Sequence, residues 1–299
     1  MENAVFVRAP AKVNLHLRVY GRRSDGFHGI LSLFQAVSLA DELSVGSLKQ
    51  PNAIEIDGTF DCPPEATTIH KAVLAYRGAT GDSRGLSIRV KKAIPAGAGL
   101  GGGSSDAAAT LRALEALRRA DGLAGLGSEA LKALGATIGS DVPFFLDGGA
   151  ALVQGRGEFV EPIPARGDFA LLLVFPGFGV GTPWAYGLLD RERPDDSAES
   201  DPSPETLLAA YRGKPETWPF ANSFEPCVSA ARPEIAALVA ELRRLGASFA
   251  MMSGSGSTVF GVFPDLSAAE RAGTALASAG SSALRIFPAL PLARPSALE

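Results

Sequence analysis

The amino-acid sequence predicts an α+β protein of two domains, and three observations carry that expectation. Strand-like alternation dominates the first half, with helical periodicity in only two stretches. The last third alternates helices with strands. A length of 299 residues is enough for two cores of ordinary size. We place the N-terminal domain at residues 1–164 and the C-terminal domain at residues 165–299.

In chain order, residues 4–8, 14–20, 41–46, 53–57 and 86–91 read as strands, and residues 69–79 and 105–120 as helices. The second helix is rich in alanine, a strong helix former. Leu86-Ser-Ile-Arg-Val-Lys-Lys92 alternates apolar and polar side chains ahead of Pro95, the pattern of a half-exposed, antiparallel strand. Residues 150–154 form a further strand, and the nearly continuous apolar run 169–175 belongs in a sheet interior. Residues 191–204 crowd Asp, Glu, Ser and Pro together with almost no apolar side chain, as a surface loop or mobile flap does. Beyond it, 233–245 is an amphipathic helix, 249–252 and 258–263 are strands, 268–279 is a helix and 284–287 a last strand.

Composition excludes some functions. A formal net charge of −4 gives no basis for nucleic-acid binding, although local basic residues can meet an anionic small molecule. Cys62 and Cys227 are far apart and lack metal-ligand spacing, which suits a reducing compartment, and His16, His28 and His70 form no zinc pattern. No metal site of the protein's own is expected. There is no run of 18 apolar residues and no basic region followed by a hydrophobic stretch at the N-terminus, so the expected location is the cytoplasm, away from any membrane.

The densest chemical signal is Pro95-Ala-Gly-Ala-Gly-Leu-Gly-Gly-Gly-Ser-Ser-Asp106, which feeds directly into the alanine-rich helix. Five glycines between Gly97 and Gly103 permit positive φ and expose backbone N–H groups, and the helix adds its unsatisfied first-turn donors and the positive end of its dipole. Such a loop holds phosphate. Ser104 and Ser105 add hydroxyls, and either can cap the helix. No lysine follows the glycines in P-loop spacing, and Gly97-Ala-Gly-Leu-Gly-Gly102 lacks the buried parallel strand that a dinucleotide fold needs ahead of it.

A phosphate site needs groups that move a proton or neutralise charge. Asp106, in the first turn, is either structural or linked to magnesium. Asp141, in Gly139-Ser-Asp-Val-Pro143 ahead of Phe144-Phe-Leu146, reads as a buried, ion-paired carboxylate or a simple cap. Lys12, in Ala9-Pro-Ala-Lys-Val-Asn-Leu15, is its natural partner. The turn Arg22-Arg-Ser-Asp-Gly-Phe-His28 is a hairpin or a place where Phe27 and His28 meet a planar base. Ser253-Gly-Ser-Gly-Ser257 is a second glycine/serine loop, lining a substrate pocket or packed between domains.

Taken together, Ala9 to Leu15, Pro95 to Ala107, Gly139 to Pro143 and Met252 to Ser257 resemble the GHMP kinase superfamily, which includes galactokinase, homoserine, mevalonate and phosphomevalonate kinases. Gly21 to His28, Leu33-Phe-Gln35 and Asn222-Ser-Phe-Glu225 resemble its branch acting on 4-diphosphocytidyl-2-C-methyl-D-erythritol. The matches run from residue 9 to residue 263.

The resemblance implies an N-terminal domain like the second domain of ribosomal protein S5, a ferredoxin-like C-terminal domain and a cleft between them. It implies transfer of the ATP γ-phosphoryl group, with Mg2+ accompanying ATP, to the 2-hydroxyl of a cytidine-diphosphate-bearing sugar alcohol in non-mevalonate isoprenoid synthesis. The alternative is another small-molecule kinase of the superfamily, of mevalonate or homoserine type. Lys12 and Asp141 match the catalytic pair. Pro95, Gly97, Gly99, Leu100, Gly101, Gly102, Gly103, Ser104 and Ser105 match the ATP phosphate loop. Asn14, Phe27, His28, Thr182 and Tyr186 match substrate-binding positions, with Phe27, His28 and Tyr186 around the cytosine. The expected assembly is a monomer or weak homodimer. Three positions depart from the family pattern: Phe27 replaces a tyrosine, Thr68-Ile-His-Lys-Ala72 lacks the usual asparagine near the adenine, and Gly181 replaces a serine.

Overall fold

The computed structural model describes residues 2–192, 202–279 and 283–294. Strand β1 (Glu2–Arg22) turns back through residues 23–27 into β2 (His28–Leu48), and the two pair antiparallel almost end to end. The far edge of β2 takes two partners in tandem: β4 (Gly85–Lys91) along residues 42–48, and β5 (Ala150–Gly155) along residues 30–35. With β3 (Ile54–Gly58) outside β4 and β6 (Phe159–Ile163) outside β5, this makes a six-stranded sheet.

Pro10 lies within β1, where the sequence pattern suggested a break. The strand tolerates it because a proline without N–H sits next to a register shift between Pro10 and Ala11. That shift turns the strand over. Val7 and Ala9 pack under the helices, whereas Ala11, Val13 and Leu15 enter the core on the opposite face of the sheet. Lys12 and Asn14 consequently point back to the helix side.

Three helices and a short fourth cover that side: α1 (Thr68–Thr80), α2 (Gly102–Ala120), α3 (Ser128–Ile138) and α4 (Val142–Asp147). The small side chains Ala107, Ala108 and Ala109 are buried, so α2 lies close against the sheet, and Ile69, Tyr76, Leu111, Leu114 and Phe144 fill the space around it. Glu115 accepts from the Tyr76 hydroxyl (2.8 Å) and the Leu126 N–H (3.2 Å), tying α2 to α1 and to the loop before α3.

The second sheet has the order β10 (Arg285–Ala289), β7 (Ala170–Phe175), β9 (Val259–Phe263), β8 (Phe249–Met252), with all neighbours antiparallel. Numbered from β7, this is the 4-1-3-2 order of a ferredoxin-like fold. Between β7 and β8 come α5 (Thr182–Glu192), α6 (Pro204–Arg212), α7 (Glu225–Ala231) and α8 (Pro233–Arg244); α9 (Leu266–Ala279) links β9 to β10. Strand β7 is buried on both faces, as its apolar run requires. Leu172 and Val174 face the cover of helices, while Leu171, Leu173 and Phe175 share a core with Val13, Leu15 and Leu33 of the first sheet.

Strand β4 pairs antiparallel with β2 as expected, but also parallel with β3, and it is more buried than its alternating pattern suggested, because Ser87 lies within the sheet. Of the proposed loop 191–204, residues 193–201 lie outside the described residues; residues 191–192 end α5 and Pro204 begins α6. No helix among the described residues is long and apolar enough to cross a membrane.

Candidate active site

A cleft of 1450 Å³ opens where the first turn of α2, the middle of β1, the start of α4 and the cleft-facing side of α5 converge. It is lined by Lys12, Asn14, Phe27, His28, Pro95, Gly97, Gly99, Leu100, Gly101, Gly102, Gly103, Ser104, Asp141, Thr182 and Tyr186. Ser105 is the one anticipated site residue that does not reach it. Its side chain is buried within the helix, with no hydrogen-bond partner among the described residues.

The glycine loop is held by its carbonyls. The carbonyl of Gly97 accepts from Val180 N–H (3.0 Å), that of Ala98 from Thr258 N–H (3.1 Å), that of Gly99 from the Ser253 hydroxyl (3.0 Å) and that of Leu100 from Lys12 N–H (3.0 Å). With the acceptors turned into the protein, the donors are free for a ligand. The N–H groups of Gly101, Gly102, Gly103 and Ser104 meet no acceptor among the described residues, so the N-terminus of α2 presents them to the cleft as an anion site. Gly101 is the N-cap and adopts the left-handed conformation (φ 71°) with no side-chain cap. The helix thus begins earlier than the sequence suggested, and the two serines fall inside its first turns instead of capping it. Gly99 also has positive φ (74°), and a Cβ there would stand 2.2 Å from the Ser253 carbonyl oxygen. Thr68, where the family pattern has asparagine, donates its hydroxyl to the Gly103 carbonyl (2.5 Å).

Lys12 and Asp141 do meet, at 3.6 Å. The expectation of a buried aspartate is corrected by the structure, because the lysine is the buried member: 6% of its side chain is exposed against 29% for Asp141. Asp141 occupies the N-cap position of α4, where the chain enters from Gly139-Ser140 and leaves the carboxylate at the cleft wall. Burial lowers the Lys12 pKa, and the nearby Asp141 charge opposes that shift. The ammonium also donates to Asn14 Oδ1 (2.6 Å) and sits 4.4 Å from the Phe34 ring centroid. Asn14 in turn donates to the Ser32 hydroxyl (2.9 Å), and its backbone N–H donates to Ser253 Oγ (3.2 Å). One serine therefore contacts both the phosphate loop and the strand that carries Lys12.

Asn222 positions that serine loop. Its amide donates to the carbonyls of Met252 and Gly254 (both 2.8 Å), while its Oδ1 accepts from Phe224 N–H (2.9 Å) and Glu225 accepts from Met252 N–H (2.6 Å). Thr182 and Ser255 share a hydrogen bond of 3.1 Å, joining α5 to the same loop. Also lining the cleft, His28 stacks on Tyr186 (ring centroids 4.9 Å, interplanar angle 29°). Phe27 does not join them. It is 57% exposed and carries the Arg156 guanidinium 5.2 Å from its ring centroid.

Sequence reasoning missed Arg156, Asp190 and the cluster behind the phosphate loop. In that cluster Lys92 Nζ meets Asp41 Oδ2 at 2.5 Å and Asp106 Oδ2 at 2.6 Å, and Asp41 Oδ1 also accepts from Ala93 and Ile94 N–H. Burial pushes the Asp106 pKa up to about 7, against the pull of Lys92 and with the help of Asp41. Asp106 is thus held in an ion-pair cluster, and it also lines the cleft. The second lysine of the Lys91-Lys92 pair ahead of Pro95 was the available signal, but Asp41 is 51 residues away and only the fold unites them.

Comparison with known proteins agrees with this geometry. The model for the GHMP kinases N terminal domain matches residues 67–149, and that for the GHMP kinases C terminal region matches residues 211–282. The 4-diphosphocytidyl-2-C-methyl-D-erythritol kinase of Treponema pallidum (strain Nichols) is 40% identical over 277 residues, covering 91% of this chain and 94% of that one. Its counterpart in Thermodesulfovibrio yellowstonii is 38% identical over 269 residues, covering 89% and 92%. A crystal structure of a 4-(cytidine 5'-diphospho)-2C-methyl-D-erythritol kinase superposes with a TM-score of 0.79 at 37% identity, covering 96% of this chain and 98% of that chain. Homoserine kinase from Cytophaga hutchinsonii shares the fold, with a TM-score of 0.71 at 18% identity over 100% of this chain and 98% of that chain. The chain therefore belongs to the 4-diphosphocytidyl-2-C-methyl-D-erythritol kinase family of the GHMP kinases.

Proposed function

We propose that this cleft transfers the γ-phosphoryl group of ATP to the 2-hydroxyl of 4-diphosphocytidyl-2-C-methyl-D-erythritol, with Asp141 as base. The observation that carries the reading is the Lys12–Asp141 pair at 3.6 Å in the same cleft as the free first-turn donors of α2. The phosphates lie on the N–H groups of Gly101 to Ser104, with Pro95, Gly97, Gly99 and Leu100 shaping the loop around them. Asp141 takes the proton of the acceptor hydroxyl as its oxygen attacks the γ-phosphorus, and the bond to the leaving ADP oxygen breaks. Lys12 keeps Asp141 ionised and stabilises charge that develops on the transferring group. Asn14 holds the lysine in place. His28 and Tyr186 recognise the cytosine, Phe27 lines the cleft at its exposed rim, and Thr182 lies toward the acceptor phosphates.

A magnesium ion accompanying ATP is held largely through substrate phosphates and water. Ser104, Asp106 and Asp141 line the cleft with side-chain oxygens that would meet it. When bound, it neutralises charge on the phosphates.

The division of the chain near residue 164 is supported by β6 closing the first sheet at Ile163 and β7 opening the second at Ala170. The free thiols of Cys62 and Cys227 favour the cytoplasm.

The test is steady-state kinetics with ATP on the cytidyl acceptor, free methylerythritol phosphate, mevalonate and homoserine. Phosphorylation confined to the cytidyl acceptor is the expected result. Equal efficiency on an acceptor without cytidine would refute the assignment.

A further inference from the structure

Thr182, Pro183, Tyr186, Gly187 and Asp190 of α5 recur at helical spacing, and all five line the cleft. Asp190 ends this row in the last turn of the helix, where the dipole disfavours a carboxylate. Its Oδ1 stands 3.2 Å from His28 Nε2, and 39% of the side chain is exposed, so the carboxylate is open to a ligand as well. The histidine ring is fixed from two other directions. Its Nδ1 lies 2.8 Å from the Tyr20 carbonyl oxygen, which can only accept, so that nitrogen carries a hydrogen. Its face stacks on Tyr186. Nε2 is left pointing at Asp190.

We propose that Asp190 is a specificity-determining residue that reads the base of the acceptor, accepting a hydrogen bond from an exocyclic amine and rejecting a base that presents a carbonyl there. This rests on the acceptor assignment made above. An ionised carboxylate has only acceptor sites, so it pairs with the amino group of cytosine and opposes the O4 of uracil. His28 cannot make that distinction alone, because an imidazole offers either a donor or an acceptor at Nε2 according to its protonation. The carboxylate supplies the missing sign, and its contact with His28 holds both groups at the base edge.

The experiment compares kcat/KM for the cytidyl acceptor and its uridyl counterpart, at saturating ATP, in the wild-type chain, Asp190→Ala and Asp190→Asn. The wild type is expected to favour the cytidyl compound. Asp190→Ala should narrow that preference by about 5- to 150-fold, acting mainly on the acceptor KM and leaving the ATP KM unchanged. Asp190→Asn, whose amide can donate to O4, should use the uridyl acceptor better than Asp190→Ala does. A carboxylate that merely anchors His28 would lower both acceptors in proportion, so an unchanged ratio overturns the proposal. If Asp190→Ala does not fold, the ratio in Asp190→Asn decides the matter in the same way. A wild type active on both bases equally also overturns it, while a wild type inactive on the cytidyl compound removes the acceptor assignment and this proposal together.

Discussion

The buried Lys12 ammonium is answered by Asp141 at 3.6 Å and by Asn14 Oδ1 at 2.6 Å. Asp141→Asn keeps the shape of the side chain but removes both the proton acceptor and the lysine's counter-charge. We expect kcat to fall by about 10² to 10⁴ with little change in either KM, measured in a coupled ADP-release assay. Asp106 offers a test of a different kind. Its pKa is raised from 3.8 to about 7 in the folded chain. Between those values the folded state holds a proton that the unfolded state has lost, so the group's contribution to stability is fully present below pH 4 and declines as pH rises through 7. Asp106→Asn removes this dependence. Its unfolding free energy relative to the wild type should improve as pH climbs from 4 to 7 and then level off, as measured by urea titration across that range. A difference independent of pH would show that Asp106 is not protonated in this cluster.

Among the elements, the phosphate loop is the most constrained. A methyl group at Gly99 would require an unfavourable φ and stand 2.2 Å from the Ser253 carbonyl, so Gly99→Ala should push the two loops apart. We expect calorimetric ATP affinity to drop about 5- to 150-fold, by about 1–3 kcal/mol, and acceptor affinity to change less. Asn222→Asp should act on the same unit from behind. It retains the acceptor for Phe224 N–H but opposes the Met252 and Gly254 carbonyls with a carboxylate, costing about 1–3 kcal/mol. A double-mutant cycle with Ser253→Ala should be non-additive; simple additivity would mean that Asn222 does not act through the serine loop.

These elements differed in how legible they were. The glycine loop, Lys12, Asp141 and the strands of the second sheet could be read from the chain, because their chemistry or apolar runs are local. The first half of β2 could not, since residues 31–37 are buried on both faces and lack alternation. Helices α3 to α7 are short, and four of them carry proline in the first turn, a position that reads equally well as a loop. Missing α5 hid the row that ends in Asp190. The exposure of Asp141 depends on how α4 packs against α2 and α3, a fact of packing with no local signature.

At the scale of the whole molecule, the two sheets share one core, in which Val13, Leu15 and Leu33 pack with Leu171, Leu173 and Phe260. Scanning calorimetry should therefore show a single cooperative transition, and two separated transitions would contradict the shared core. ATP at 100 times its Kd should stabilise that whole unit by about 2.7 kcal/mol. Three of the four bonds holding the Gly97 to Leu100 carbonyls come from Val180, Ser253 and Thr258, all on segments around the second sheet. The glycine motif is thus not a transferable module. Grafted into another protein with its helix, or expressed as a fragment ending at Ile163, it would keep every residue of the signature and lose the donors that turn its carbonyls away from the nucleotide.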